Sequence, residues 1–160
     1  MLVKEVSTYL SIEWVVRRYR PEVLIPVRHP CPVVLSQLER GTWARGWLDE
    51  MLRNDRLMAD HLAPYRSLME TVMDPVEATA VLWAARTRVM ADQRSRHPDW
   101  RIVAYEDLAR DTVSGFRSLY ASLGLRWTAG VERFVTETTT TPDDGRYSIV
   151  RVSADHVDRW

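Results

Sequence analysis

VLIPVRHPCPVVLSQLER, residues 23–40, decides how the chain is read. An apolar, β-branched run at 23–27 is bounded by Pro21 and Pro30, the pattern of a short buried strand. Pro26 is awkward inside it, because proline removes a ladder donor. The run ends in Arg28-His29. Pro30 and Pro32 then suit the first turn of a helix, where amide hydrogens are unpaired anyway. That helix is expected to run to about Glu39, with Gly41 after it. A charged residue therefore stands where a strand surfaces and a helix begins. Ligands of open parallel sheets sit at such points, and helix amides there favour anions.

Working outward, DPVE at residues 74–77 is a strong helix start: Asp74 as cap, proline at the first position and Glu77 at the third. The helix should continue to about Arg94. His97-Pro98-Asp99 reads as a turn, and residues 100–104 as another strand. Asp111 is expected to cap a helix closed by Gly124, and a further helix spans about 129–137. Towards the N-terminus, Ser7 or Thr8 begins a helix reaching about Arg18, with Leu10, Trp14 and Val15 on one face. Leu2-Val3 reads as the end of a strand. A polar loop at 138–146, an extended piece at 147–152 and a cap at Ser153 complete the chain. Strands alternating with helices indicate an α/β fold with a short parallel sheet. Both ends are expected to be cut, so that residues 1–160 form one partial domain.

Composition narrows the function classes. The 160 residues are 46% hydrophobic and 28% charged with zero net charge. No global basic field favours nucleic acid or an anionic membrane, so an anion site must be local. Lysine occurs once, at Lys4, and every other basic residue is arginine. The single cysteine, Cys31, excludes an internal disulfide and a cysteine-based zinc site, and fits a reducing, cytoplasmic setting. No metal site is expected. No apolar run is long enough to cross a bilayer, and no secretory leader is visible after Met1. An unpaired sheet edge near residues 2–4 or 23–27 is a route to self-association.

Arg28 offers a charged, two-pronged contact for an anion; Ser36, eight residues on, falls near the same helical face. The bland alternative pairs Arg28 with a carboxylate. Strand-Arg-x-Pro-x-x-x-x-x-Ser, residues 23–36, resembles the 3′-phosphate-binding segment of PAPS-dependent sulfotransferases. Other segments agree in order. VKEVS (3–7) resembles the family's lysine-bearing strand, and RIVAYEDLARD (101–111) its strand ending in Tyr-Glu-Asp-Leu. FRSLYASLGLRW (116–127) resembles the helix and Leu-Gly-Leu turn that follow, and VSADHVDRW (152–160) the opening of the C-terminal helix.

The resemblance implies a P-loop-NTPase-like three-layer sandwich whose first strand, loop and helix are missing here. It implies PAPS, 3′-phosphoadenosine 5′-phosphosulfate, as sulfate donor, with no metal. Arg28 and Ser36 match the 3′-phosphate ligands, Tyr105 matches a tyrosine near the adenine, and Arg146 or Arg151 matches a late basic residue closing over the phosphate. The family's Gly/Ser/Thr-rich loop, which wraps the reacting phosphosulfate, has no counterpart in the sequence. Weak or absent sulfuryl transfer to a hydroxyl or amine is therefore expected of this chain alone. The alternative is a non-catalytic nucleotide-binding or scaffold module keeping the 3′-phosphate half-site. Catalytic candidates are Lys4, Glu5 and, as an acceptor's base, His61. Trp43, Trp47, Tyr65 and Trp83 either fill the core or line a pocket for an apolar or aromatic acceptor. The acceptor itself is not identified.

Overall fold

The structure, a computed structural model, describes Lys4, residues 8–41 and residues 43–140. These divide into two compact units, one holding residues up to 23 together with 30–101, the other 24–29 with the residues from 102 onward.

The first unit is helical. After a 3-10 turn at Thr8–Leu10 come α1 (Ile12–Tyr19), α2 (Pro30–Glu39), α3 (Ala44–Leu52) and α4 (Asp55–Leu57). A π-helical turn, Met58–Leu62, and a 3-10 turn, Ala63–Tyr65, lead into α5 (Arg66–Thr71) and α6 (Pro75–Arg96). The longest element, α6, starts where the sequence places it: the Asp74 carboxylate accepts the amides of Val76 at 2.9 Å and Glu77 at 3.0 Å. Its buried residues Ala78, Leu82, Ala85, Val89 and Gln93 recur every three or four positions. That stripe packs against α3 and the π turn, forming a core with Leu48, Met51, Met58, Leu62 and Met69. Arg45 on α3 ties in α5, donating from Nη1 to the carbonyls of Met69 and Val72 while Asp49 holds its other edge. Carbonyls at a helix end need such outside donors.

The helix before Pro21 departs from expectation. No residue of α1 is buried, and Trp14 is 63% exposed. Polar contacts anchor it alongside the half-buried Ile12, Val15 and Val16. Glu13 Oε1 accepts from Arg96 Nε at 2.9 Å and lies 3.1 Å from His97 Nε2. In the preceding turn, Tyr9 accepts at its hydroxyl from Arg86 and at its carbonyl from Gln93. The helix stops at Arg20, whose left-handed backbone (φ 49°) directs its amide to Val16 O.

The second unit holds the sheet: β1 (Leu24–Val27) and β2 (Arg101–Ala104) pair in parallel. A mixed α/β arrangement is therefore present, with two strands among the described residues. The N-terminal strand expected near Leu2-Val3 lies outside the described residues. With one neighbour among the described residues, β1 has an edge there, where proline is tolerated; Pro26 is exposed. Trp100 is not in a strand as expected; it is fully buried in the first unit, its ring stacked on His97 at 4.4 Å. Three helices follow β2: α7 (Tyr105–Arg110), α8 (Thr112–Ser122) and α9 (Ala129–Thr140). Asp111 caps α8 by accepting the Ser114 amide. Gly124, at φ 65°, takes the left-handed turn that lets Leu125 N–H close on Tyr120 O at 2.8 Å. Glu132 of α9 accepts from both Arg117 and Trp127 Nε1, joining α8 to α9.

Two boundaries differ from the sequence reading. A helix not anticipated from the sequence, α7, starts directly after β2, with Glu106 and Asp107 in its first turn. And α9 continues into the threonine run at 138–140, which had been read as loop, with the Thr138 and Thr139 hydroxyls bonding back to Phe134 O and Val135 O. The expected loop beyond, the extended piece at 147–152 and the Ser153 cap lie outside the described residues.

Candidate functional site

Arg28 leaves β1 and Tyr105 leaves β2, so a parallel pair brings both to the carboxyl end of the strands. The Arg28 guanidinium lies 4.8 Å from the Tyr105 ring centroid, a cation–π contact. Its Nε is buried without a hydrogen-bond partner, and among the described residues no carboxylate pairs with Arg28. The bland alternative, an arginine neutralised by an acid, is thus not what is found there. Next to it the His29 amide donates to Glu106 Oε1 at 2.9 Å. A guanidinium held on its face by a ring, with its edge donors free, is suited to a planar or tetrahedral oxyanion.

Ser36 stands half-buried on α2, in the first unit. Arg146, Arg151 and Glu5 lie outside the described residues. Lys4 is exposed and belongs to no helix or strand.

The first unit carries its own constellation. His61, in the π turn, places Nδ1 3.1 Å from Asp92 Oδ2, with a side chain only 13% exposed. Arg88 Nε reaches the other oxygen of Asp92 at 3.0 Å. Burial is the largest influence on the Asp92 carboxyl and would raise its pKa. The bonds from His61 and Arg88, with their charges, outweigh it and leave the group below the ordinary aspartate range. An ionised carboxylate only accepts hydrogen bonds. Nδ1 of His61 therefore carries the hydrogen that Asp92 accepts, which turns Nε2 away from the carboxylate. Sequence reading singled out His61 but missed Asp92, whose partnership spans 31 positions.

Beside this pair runs an apolar groove of about 310 Å³, bounded by Tyr65 and Leu68 on one side and Val81, Trp83, Ala85 and Arg88 of α6 on the other. Val81, Ala85, Arg88 and Asp92 are spaced by three or four residues, so Asp92 continues the groove's face one turn past Arg88. Two of the four aromatics expected at a pocket, Tyr65 and Trp83, line this groove. Trp43, at 72% exposed, and Trp47 fill neither it nor the core. The groove's lining is mostly apolar, and its Arg88 also meets Asp92, which lies outside that lining as His61 does. An imidazole held by a carboxylate can take up a proton from a hydroxyl.

No group of three or more histidine, cysteine, aspartate or glutamate residues is placed to hold a metal ion among the described residues, and no helix there is long and apolar enough to cross a membrane. Comparison with protein-family models, curated proteins and solved structures finds no match to the chain.

Proposed function

We propose that this chain is part of a PAPS-dependent sulfotransferase domain of P-loop-NTPase-like architecture, and that it holds the 3′-phosphate end of the nucleotide. One observation carries the reading: Arg28, at the carboxyl end of β1, lies against Tyr105 with a buried Nε that has no hydrogen-bond partner and no acid partner among the described residues. An orphaned buried donor costs roughly 1–3 kcal/mol, and a phosphate oxygen removes that cost. Arg28 fits a dianionic phosphate, and Tyr105 fixes the guanidinium plane that meets it. The order of the resembling segments supports the family. When bound, PAPS supplies the sulfuryl group. The sequence contains no glycine-rich phosphate loop, so the reading assigns no residue to the phosphosulfate.

The groove of the first unit supports an acceptor with an apolar or aromatic body. His61 Nε2, oriented through Asp92, accepts the proton of its hydroxyl. The missing loop favours a second reading, in which the chain binds nucleotide and transfers nothing.

Calorimetry with adenosine 3′,5′-bisphosphate tests the proposal. The folded chain should bind it, and Arg28→Ala should weaken binding by roughly 1.5–3 kcal/mol, the range for a hydrogen bond to a charged group. Absence of heat with folded protein at millimolar ligand rejects both readings. An unchanged dissociation constant in Arg28→Ala removes Arg28 from the site. Incubation with radiolabelled PAPS and phenolic acceptors separates the two: binding without label transfer identifies a module.

A further inference from the structure

We infer that Glu106 is a positioning residue for Arg28, an inference that rests on reading Arg28 as the phosphate-binding group. A carboxylate in the first turn of a helix ordinarily serves its own helix, by satisfying free amides or by complementing the dipole. At the start of α7 no side chain caps the helix, because Ala104 stands at the cap position. Glu106 reaches instead across 77 positions of sequence to the amide of His29, at 2.9 Å.

Its neighbour Tyr105 lies under the guanidinium of Arg28. Two consecutive residues of α7 thus grip two consecutive residues at the exit of β1. One contact fixes the backbone just after Arg28, the other the plane of its side chain. Either alone leaves a hinge: the ring contact does not set the peptide, and the amide bond does not set the guanidinium. Together they hold a flexible side chain in one orientation before any ligand arrives, and a preorganised donor binds more tightly because less freedom is lost. The hydrogen bond from the His29 amide engages one oxygen of Glu106. Glu106 acts through Arg28, with no ligand contact of its own.

Two variants separate this from other roles. Glu106→Met keeps the length and helix preference of the side chain and removes its acceptor. Glu106→Gln keeps an acceptor oxygen and removes the charge. Calorimetry with adenosine 3′,5′-bisphosphate should show binding about two- to tenfold weaker in Glu106→Met, the loss of one hydrogen bond, and near wild type in Glu106→Gln. Tighter binding in both would make the carboxylate a competitor of the phosphate and overturn the inference. So would unchanged binding in Glu106→Met while Arg28→Ala is weakened.

A second readout needs no nucleotide. In the wild type the Tyr105 ring current should shift the side-chain protons of Arg28 upfield in NMR spectra. That shift should shrink in Glu106→Met and persist in Glu106→Gln. A full shift in Glu106→Met overturns the inference even if the nucleotide does not bind. Failure of wild-type binding with the shift behaving as expected rejects the sulfotransferase reading and leaves the clamp. Glu106→Ala repeats both measurements should the methionine variant not fold.

Discussion

Replacing Glu13 with alanine should release α1 while the rest of the first unit stays folded. The reasoning starts from burial: no residue of α1 is fully buried and its apolar Ile12, Val15 and Val16 are half-buried, so apolar transfer holds it only in part. What remains is polar. One oxygen of Glu13 meets Arg96 at 2.9 Å and His97 at 3.1 Å. Hydrogen bonds to charged groups reach about 1.5–3 kcal/mol when shielded. Arg96 is half exposed and Glu13 24% exposed, so solvent reduces each contact towards the value of surface pairs. The pair together then contributes about 1–2 kcal/mol, equivalent to a roughly 5- to 30-fold change in the open population. Hydrogen exchange reads this directly. The Arg20 amide, bonded to Val16 O at 2.9 Å, should exchange faster by that factor in Glu13→Ala, with amides in the middle of α6 unchanged. Acid should do the same to the wild type. The bond from Arg96 is the chief cause holding the Glu13 carboxyl below the ordinary glutamate value, against the opposing effect of burial. A depressed folded pKa means that the contribution is complete above the unfolded value near ~4.3 and disappears as pH falls through the lower, folded one. The Arg20 amide of Glu13→Ala should lack that acid step. Equal protection in both proteins would refute the polar anchoring, as would α6 amides accelerating in step.

Leu82 has no exposed surface at the centre of the α3–α6 core, and Leu82→Ala should cost about 2–5 kcal/mol in urea denaturation, the range for buried large-to-small changes. A double-mutant cycle of His61→Ala and Asp92→Asn should give a coupling of roughly 1–2 kcal/mol at neutral pH. The coupling should fade in acid, because the Asp92 carboxyl lies below its ordinary value and is protonated only at lower pH.

The parts of the fold that were legible in the sequence are those whose causes are local. Asp74, Pro75 and Glu77 set the start of α6 within four positions, and Gly124 closes the turn after α8 by its own backbone freedom. Pro30 likewise begins α2. What stayed hidden depends on distant partners. The start of α7 has no side-chain cap, and Glu106 bonds across 77 positions to a residue at the exit of another strand. Of the expected face of Leu10, Trp14 and Val15, only Val15 is half-buried, and the polar anchor Glu13 was not foreseen. At the candidate sites, Arg28 was legible from its place between an apolar run and a proline. The ring beneath it was proposed only through resemblance. His61 was one of four histidines, and nothing near it in sequence announces Asp92.

The π turn at Met58–Leu62 has a consequence for what faces Asp92. Such a turn takes one residue more than a regular coil of helix, and it arises where an extra residue is accommodated without breaking the backbone ladder. Remove that residue and the turn can revert to ordinary helix while the residues beyond it keep their phase, so only the spacing inside the turn changes. His61 lies inside it and would lose its aim at Asp92, whereas Tyr65 and Leu68, in later elements, would keep the wall they share with α6. A single inserted position thus underwrites the imidazole–carboxylate pair and leaves the groove independent of it.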